Sequence, residues 1–334
     1  MMPDTRTTLT GSEDRLTWRA LTIDDAPALT AAYALVEAAD RTGEHVSERD
    51  VRDILHDEAI DLGRDTLAAF TPDGAVLAFA QLTGPAEIRD VDRVLAEGAV
   101  VPAARGRGFG RRLLAWAAER AAVLHRERHP DAPGAVLVPV HERNPSKHAL
   151  VRAAGYEPVH WEYLMTRGLG EPLPKIPSTP PGLTVAPYVR ARDEVVRQAH
   201  REAFADHWGT TPPDPVRWSQ WFTGARAFRP AVSWLALDGD EVAGYLLTYF
   251  FAAETAATGV REAYVGQLGV RSAWRRRGVG GLLLTTALAS YRAAGYDRAA
   301  LKVDTRSPTG ALGLYERAGF VAQDTWAVWS KPLA

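Results

Sequence analysis

The sequence contains no cysteine, which removes disulfide bonds, thiolate nucleophiles and cysteine-ligated zinc from the chemistry available to the 334-residue chain. It also lacks a strong net charge of either sign, since its formal net charge is -2. This small charge does not favour binding to nucleic acid. No apolar run approaches the roughly 18 residues typical of a membrane-spanning helix, and the first residues lack the apolar segment of a signal peptide. We therefore expect a cytoplasmic protein that binds neither nucleic acid nor membrane and reacts through oxygen and nitrogen groups.

The composition is that of a globular protein, with 46% hydrophobic and 24% charged residues. The length favours two domains of ordinary size. Segment 168–182 contains five prolines, which disfavour helix and are typical of an extended connector. We interpret this segment as a linker between a domain over 1–167 and a domain over 183–334. One long surface loop inside a single domain is the alternative.

Two segments of the chain share one pattern, VVPAARGRGFGRRLLAWA at 100–117 and VRSAWRRRGVGGLLLTTA at 270–287. Their first aligned motif glycines, Gly108 and Gly278, are 170 positions apart (278 − 108). The same offset aligns further arginines, glycines and valines, each after a hydrophobic segment and before an amphipathic one. The sequence therefore predicts a tandem duplication.

Both halves have the same order of secondary-structure signals. Each opens with a short strand, which covers 16–22 in the first half, and continues with an amphipathic helix. Two strands joined by a turn follow, at 72–74 in the first half and 238–240 in the second. A strand, the glycine-rich turn, a helix, a strand, a shorter helix and an aromatic-rich strand complete each half. These signals predict an α+β fold of two tandem domains, each a twisted, mostly antiparallel sheet flanked by helices.

The glycine-rich turn at 275–281 lies between a strand and a helix, so unpaired backbone N–H groups converge there. Glycines let the backbone approach an oxyanion, and three arginines add positive charge suited to a pyrophosphate. The turn lacks the Gly-Lys-Ser/Thr ending of a P-loop and the pattern of a dinucleotide fold. A turn that serves packing alone is the alternative.

The pattern R-x-x-G-x-G, with the preceding LGV (268–270) and the later LYERAGF (314–320), resembles the GCN5-related N-acetyltransferase (GNAT) superfamily. The resemblance covers both halves, is stronger in the second, and is similar to the tandem arrangement of the mycothiol synthase group. It implies acetyl-CoA as the cofactor. The residues that it assigns to cofactor binding are Leu268, Val270, Arg275, Arg276, Arg277, Gly278, Val279, Gly280, Gly281 and Ser307 in the second half, and Arg105, Gly106, Arg107, Gly108, Phe109, Gly110 and Asn144 in the first.

The resemblance also assigns catalytic residues. Tyr315 corresponds to a tyrosine that gives a proton to the departing thiolate, while Val151 stands at the same place in the first half and has no proton to give. The first half is therefore expected to be catalytically degenerate. Where the family often has a basic glutamate, the sequence has Tyr264; Glu262 lies two residues earlier on the same strand face and is our candidate base, with Asp304 as an alternative.

Aromatic residues between 206 and 222 fall where this fold usually binds the acceptor, although a helix core is an equal interpretation. They are Trp208, Trp218, Trp221 and Phe222. The histidines do not have metal-site spacing: His200 and His207 lack companions, and His125 and His129 lie on an arginine-rich helix end that we expect to be solvated. No metal site is predicted.

The expected activity is transfer of an acetyl group to a primary amine of a small molecule. The alternatives are acetylation of an antibiotic or of a protein amine, and a non-catalytic acyl-CoA sensor or scaffold. Because two related domains can pack on each other within one chain, a monomer is as acceptable as a homodimer.

Overall fold

The computed structural model describes residues 16–306 and 310–333, and these form one continuous sheet of twelve strands with helices on both faces. The strands are β1 (Thr17–Arg19), β2 (Thr66–Phe70), β3 (Val76–Thr83), β4 (Asp92–Val100), β5 (Gly134–His141), β6 (Glu157–Gly168), β7 (Leu183–Pro187), β8 (Trp234–Asp238), β9 (Glu241–Tyr249), β10 (Glu262–Val270), β11 (Arg298–Asp304) and β12 (Val321–Pro332). The helices are α1 (Ala26–Asp40), α2 (Glu48–Leu55), α3 (Leu62–Asp65), α4 (Phe109–Arg128), α5 (Pro145–Ala153), α6 (Asp193–Ala203), α7 (Pro215–Trp221), α8 (Ala252–Thr258), α9 (Val279–Ala293) and α10 (Ala311–Arg317).

The predicted α+β class and both predicted hairpins are confirmed, since β2 pairs with β3 and β8 with β9 in antiparallel register. The opening strand is shorter than the predicted 16–22 and ends at Arg19. The backbone N–H of Leu21 donates to the Thr66 hydroxyl at 2.8 Å instead of to a neighbouring strand. This side-chain bond competes with the ladder and turns the chain toward α1.

The last strand of each half lies in the sheet of the other half. The strand order is β1-β2-β3-β4-β5-β12-β6-β11-β10-β9-β8-β7. β12, from the second half, pairs with β5, while β6, from the first half, pairs with β11. β6 and β12 pair with each other at the centre, where Glu162 faces Trp326. The two halves are thus related by an approximate twofold axis and joined by exchanged strands.

Each half contains a wedge-shaped opening between two parallel strands. β4 and β5 pair only as far as Leu95 and Leu137, and β10 and β11 only as far as Tyr264 and Ala300, although β4 and β10 continue well beyond. In β10 the register shifts between Val265 and Gln267, and such a bulge bends a strand. The backbone edge of the second part of β10 is therefore left open toward β11.

The residue inside this bulge has to be glycine. A Cβ atom on Gly266 would lie 2.4 Å from the ring of Tyr249, which is nearly fully buried. A larger side chain would push β9 and β10 apart at the start of the wedge. The local sequence thus fixes where the two parallel strands separate.

Apolar residues on the two faces of the sheet build separate cores. On β9, Leu246 packs with α9 on one face, while Tyr245 and Leu247 pack with α6 on the other. The first half has the same three layers, with α4 on one face and α1 on the other. Helices on both faces leave the ends of the parallel strands as the accessible part of each wedge.

The proline-rich connector follows β6, which runs as far as Gly168, and precedes β7 at Leu183. No helix or strand lies between these two residues in the part of the chain that the structure describes. Leu169 is buried and its N–H donates to the carbonyl of Asp297 at 2.8 Å. The division into domains over 1–167 and 183–334 stays a prediction. Within residues 16–306 and 310–333, no helix has both the length and the apolarity to cross a membrane.

Candidate active site

The glycine-rich turn of the second half ends at the N-terminus of α9. Gly278 is the N-cap, with φ 81° and no side-chain cap, so the first N–H groups of the helix have no capping acceptor. A left-handed φ of this kind favours glycine. Arg276 and Arg277 are exposed beside these N–H groups. The turn therefore offers backbone donors and two guanidinium groups to an anion.

The turn of the first half has the same backbone, because Gly108 is the N-cap of α4 with φ 86°. Gly106 has φ 78°, and Arg276 at the equivalent position has φ 60°, which is uncommon for a residue with a side chain. The retained left-handed conformation at Arg276 supports a shared backbone requirement in both turns.

The first arginine of each motif braces the loop. Arg105 Nε donates to the carbonyl of Val100 at 3.1 Å, and Arg275 Nε donates to that of Val270 at 3.2 Å. The rest of the Arg105 guanidinium pairs with both carboxylate oxygens of Asp40, at 2.7 and 2.8 Å. These side chains are engaged within the protein, and their predicted contact with a cofactor stays a prediction.

Asn144 belongs to the same network in the first half. Its Oδ1 accepts from the N–H of Lys147 at 2.9 Å and caps α5, while its Nδ2 donates to Asp40 at 2.9 Å. Asp40 therefore holds α1, α5 and the glycine-rich turn together. The geometry gives Asn144 a structural task; its predicted cofactor role is untested, and Ser307 lies outside the described residues.

Asp40→Ala is expected to lower the free energy of unfolding by about 1–3 kcal/mol, because it leaves Arg105 and Asn144 without their acceptor. The corresponding second-half pair is weaker: Asp206 is 72% exposed and lies 3.5 Å from Arg275. Asp206→Ala should change stability by less than about 0.5 kcal/mol. Urea denaturation of both variants checks this, and equal losses would show that Asp40 does not organise the first half.

Tyr315 lies on α10 and is 7% exposed within the main core of the second half. Burial raises the pKa of Tyr315, so the phenol stays protonated at physiological pH. Val151 occupies the equivalent place on α5 and is fully buried. The two halves thus differ by a potential proton donor.

The wedge of the first half also contains a charged side chain. Lys147 Nζ donates to the carbonyl of Gly98 at 3.3 Å, on the part of β4 that no longer pairs with β5. Burial lowers the pKa of Lys147 and raises that of nearby Glu97. Lys147 lies eight positions before Gly155, the glycine that follows α5. Eight positions before Gly319, the equivalent glycine after α10, the second half has Ala311. Its wedge lacks this lysine.

Glu262 lies at the start of β10, where its carboxylate accepts a hydrogen bond from Arg298 on β11. Tyr264, on the same face, is the last residue of β10 to pair with β11. Burial raises the pKa of Tyr264, and Glu162 and Glu262 add to that effect. Glu262 is thus ion-paired at the closed end of the wedge, and its role as the base stays a prediction.

A cavity of about 540 Å³ lies where the two halves meet, and we call it the seam cavity. Loop 205–210 after α6, the end of β11, the exchanged strand β6 and the start of β4 surround it. Its main polar and aromatic lining residues are Arg93, His160, Asp206, Trp208, Asp304 and Arg306. The cavity adjoins the glycine-rich turn through Asp206, which lies beside Arg275.

Comparison with known proteins decides the family. Residues 194–320 match the model of the acetyltransferase (GNAT) family. A mycothiol acetyltransferase from Salinispora tropica is 33% identical over 318 residues, which cover 92% of each chain. The chain belongs to the GNAT family of acetyltransferases. It is an acetyl-CoA-dependent N-acetyltransferase.

Solved structures of GNAT proteins agree with this assignment. A GCN5-related N-acetyltransferase from Sphaerobacter thermophilus is 27% identical, with a TM-score of 0.73 over 97% of both chains. A tandem GNAT protein from the clavulanic acid biosynthesis pathway, 18% identical, covers 96% of this chain and 99% of its own with a TM-score of 0.70. The tandem GNAT fold predicted from the two glycine-rich turns is confirmed.

The residues of the second-half turn fit the diphosphate of acetyl-CoA, the acetyl donor that GNAT enzymes generally use. Uncapped N–H groups of α9 and the exposed Arg276 and Arg277 supply donors suited to two phosphates. Gly280 and Gly281 lie close to Leu314 of α10, since an added Cβ would be in ordinary contact with its side chain at 3.4 and 3.6 Å. These contacts place α9 and α10 side by side at the open end of the wedge.

The aromatic residues between 206 and 222 have different environments in this GNAT fold. Trp208 lines the seam cavity, whereas Trp218 is 2% exposed in the core against α6. Trp221 donates from Nε1 to Asp57 of the first half at 3.0 Å, and Phe222 stacks on Trp218. The core interpretation thus holds for Trp218 and Phe222, and Trp208 alone of the four lines this cavity.

The expectation that His125 is solvated was wrong. Its ring is buried, and Nδ1 lies 2.8 Å from Asp92 on β4. His200 is also buried, with Nδ1 2.6 Å from the Tyr245 hydroxyl. Within residues 16–306 and 310–333, no group of three histidine, cysteine or acidic residues could hold a metal ion. Helix-end composition alone did not reveal that Asp92 lies beneath the helix.

His160 and Glu162 were missed by the sequence interpretation. Both belong to β6 in the first half, yet strand exchange brings them to Asp304 and the second-half cavity. No local motif in β6 marks them, because only the long-range pairing of β6 with β11 gives them these neighbours.

Proposed function

We propose that the protein transfers an acetyl group from acetyl-CoA to a primary amine of a small molecule, in the second half of the chain. The proposal depends on one observation: both halves have an uncapped glycine-rich turn, but only the second half combines it with a tyrosine, Tyr315. In the first half Val151 replaces the tyrosine, and Lys147 extends into the wedge. The relative from Salinispora tropica is named a mycothiol acetyltransferase, which supports a small-molecule acceptor here.

Acetyl-CoA supplies a thioester that a neutral amine attacks directly. The N–H groups at the start of α9, with Arg276 and Arg277, would hold the diphosphate. The open backbone edge of β10, around Leu268 and Val270, would hold the arm that leads to the thioester. The Tyr315 hydroxyl would give its proton to the departing thiolate, which its raised pKa allows at any physiological pH.

The test combines calorimetric titration with acetyl-CoA and a free-thiol release assay on a library of amino sugars, polyamines, aminoglycosides and peptides. We expect acetyl-CoA to bind and at least one small-molecule amine to accelerate thiol release over hydrolysis. Binding without acceleration by any amine would indicate an acyl-CoA sensor instead. Acceleration by peptides alone would move the acceptor to a protein amine.

A further inference from the structure

Three polar side chains converge at the edge of the seam cavity, which His160 and Asp304 line and which Glu162 approaches through His160. His160 Nε2 lies 3.8 Å from Glu162 Oε1 and 3.8 Å from Asp304 Oδ1. The side chains of His160 and Asp304 are only 5% and 4% exposed. Distances of 3.8 Å are too long for direct hydrogen bonds, so His160 Nε2 bonds to neither carboxylate. Asp304 Oδ1 also accepts a hydrogen bond from the backbone N–H of Arg306 at 2.7 Å.

Among residues 16–306 and 310–333, no group forms a hydrogen bond with the buried Nε2 of His160. An unpaired buried polar atom is destabilising, and a ligand that bonds to it would remove this cost. Trp208 fixes the ring, because the two ring planes are 10° apart with centroids at 4.0 Å. The nitrogen is therefore held in place and available.

Two carboxylates lie 3.8 Å from His160 Nε2, in a cavity that is also lined by Arg89, Arg93 and Arg306. Burial lowers the pKa of His160, with His207 and Arg306 acting in the same direction, while Asp304 and Glu162 oppose the shift. Arg93, on β4, faces Trp208 with its guanidinium carbon 5.4 Å from the ring centroid. When the proton of the neutral imidazole is on Nδ1, Nε2 presents a lone pair between the two carboxylates. Three acceptors with two negative charges match the three N–H donors of a primary ammonium group.

At the equivalent site of the first half, an arginine side chain of the protein provides the cation. There His141 Nε2 lies 3.5 Å from Asp324, and Arg143 binds Asp324 at 2.6 Å. His141 faces Trp326 where β5 pairs with β12, and Asp304 faces Glu162 where β11 pairs with β6. Trp326 therefore occupies in the first half the position that Glu162 has in the second. A carboxylate and its arginine thus satisfy each other in the first half.

In the second half the guanidinium of the corresponding arginine lies over an aromatic ring instead of binding a carboxylate. Arg306 follows Asp304 by two residues, as Arg143 follows His141, but its guanidinium lies 5.1 Å from the centre of the Trp161 ring. His160 and Asp304 line the seam cavity and Glu162 lies 3.8 Å from His160, so two carboxylates and an imidazole nitrogen lie next to this opening. Asp304 ends β11 beyond Ala300, its last pairing residue with β10, so this point lies at the open end of the wedge.

We propose that His160, Glu162 and Asp304 bind the primary ammonium group of the acceptor, so that the first half supplies two of the three residues that select the substrate of the second. The proposal rests on the proposed function for its placement beside the acetyl donor. It identifies the acceptor class as a primary amine that is an ammonium ion in solution, such as an amino sugar or a polyamine.

The test is calorimetric titration with glucosamine and spermidine, with N-acetylglucosamine as the control that lacks an ammonium group. We expect both amines to bind the wild-type protein, and N-acetylglucosamine to bind at least about tenfold more weakly. Asp304→Asn and Glu162→Gln should each weaken amine binding at least about tenfold. Glu162 is 33% exposed, so its amide variant is the safer test if Asp304→Asn does not fold.

Asp324→Asn is the matched control, because it makes the same carboxylate-to-amide change at the equivalent first-half site. It should leave amine affinity within about twofold, and all three variants should bind acetyl-CoA as the wild type does. The proposal is overturned if neither amine binds, if N-acetylglucosamine binds as tightly as glucosamine, or if both second-half variants keep wild-type affinity. Amine binding without acetyl-CoA binding would contradict the proposed function but would still support this ammonium site.

Discussion

Tyr315→Phe is expected to lower kcat by about 10²–10⁴-fold and to leave the KM for acetyl-CoA within about twofold, because only the proton donor is removed. The ring is 7% exposed and lies beside Phe320 in the core, so phenylalanine preserves the packing. The raised pKa of Tyr315 adds a condition on pH. An acid with a raised pKa stays protonated as the pH increases, so wild-type activity should not decline up to about pH 9 through this group. Steady-state kinetics over pH 6–9 measures both effects.

Tyr156→Phe is the matched control in the first half. Tyr156 is 3% exposed and follows Gly155 as Phe320 follows Gly319. Its hydroxyl is buried and has no hydrogen-bond partner in the part of the chain that the structure describes. Its loss should leave kcat within about twofold. Wild-type kcat in Tyr315→Phe would exclude this residue as the proton donor, and an equal loss in both variants would point to packing instead.

Gly278→Asp is expected to weaken acetyl-CoA binding at least about 100-fold, and turnover with it. The substitution places a carboxylate at the N-cap of α9, where it competes for the same N–H groups and repels a diphosphate. Because φ is 81° at this position, Gly278→Ala carries the same backbone strain without the charge. The alanine variant should therefore lose far less affinity than the aspartate variant. Calorimetric titration with acetyl-CoA separates the two effects.

Gly108→Asp makes the same change at the N-cap of α4, where φ is 86°. Turnover should stay within about twofold, and the number of bound acetyl-CoA molecules shows whether the first-half turn binds the cofactor at all. Unchanged stoichiometry and affinity in Gly278→Asp would remove the second-half turn from cofactor binding. Melting temperatures of the variants exclude unfolding as the cause.

The features that the sequence predicted are those with a local signal. Glycine at the N-cap of a helix after a strand specifies the turn through backbone conformation alone, so Gly108 and Gly278 could be found from spacing. The hairpins followed from turn residues flanked by apolar alternation, and they are confirmed. Tyr315 was identified by its position in a short motif, and the catalytic role remains to be tested.

The features that the sequence could not predict depend on pairing between distant strands. β6 and β12 have similar aromatic-rich patterns, so the sequence does not distinguish pairing within a half from exchange between halves. His160 and Glu162 therefore had no visible link to Asp304. For the same reason the ion pair of Glu262 with Arg298 could not be seen, since it crosses from β10 to β11.

The exchanged strands bear on how such a chain evolves. After a gene duplication, redundancy ordinarily allows one copy to decay and be deleted. Here the first half has Val151 where the second has Tyr315, yet its β6 completes the sheet of the second half beside β11. Deletion of the first half would expose an unpaired edge strand in the second. Selection can therefore erase the chemistry of one copy while it preserves the polypeptide, and loss of activity and loss of the gene segment become separate events.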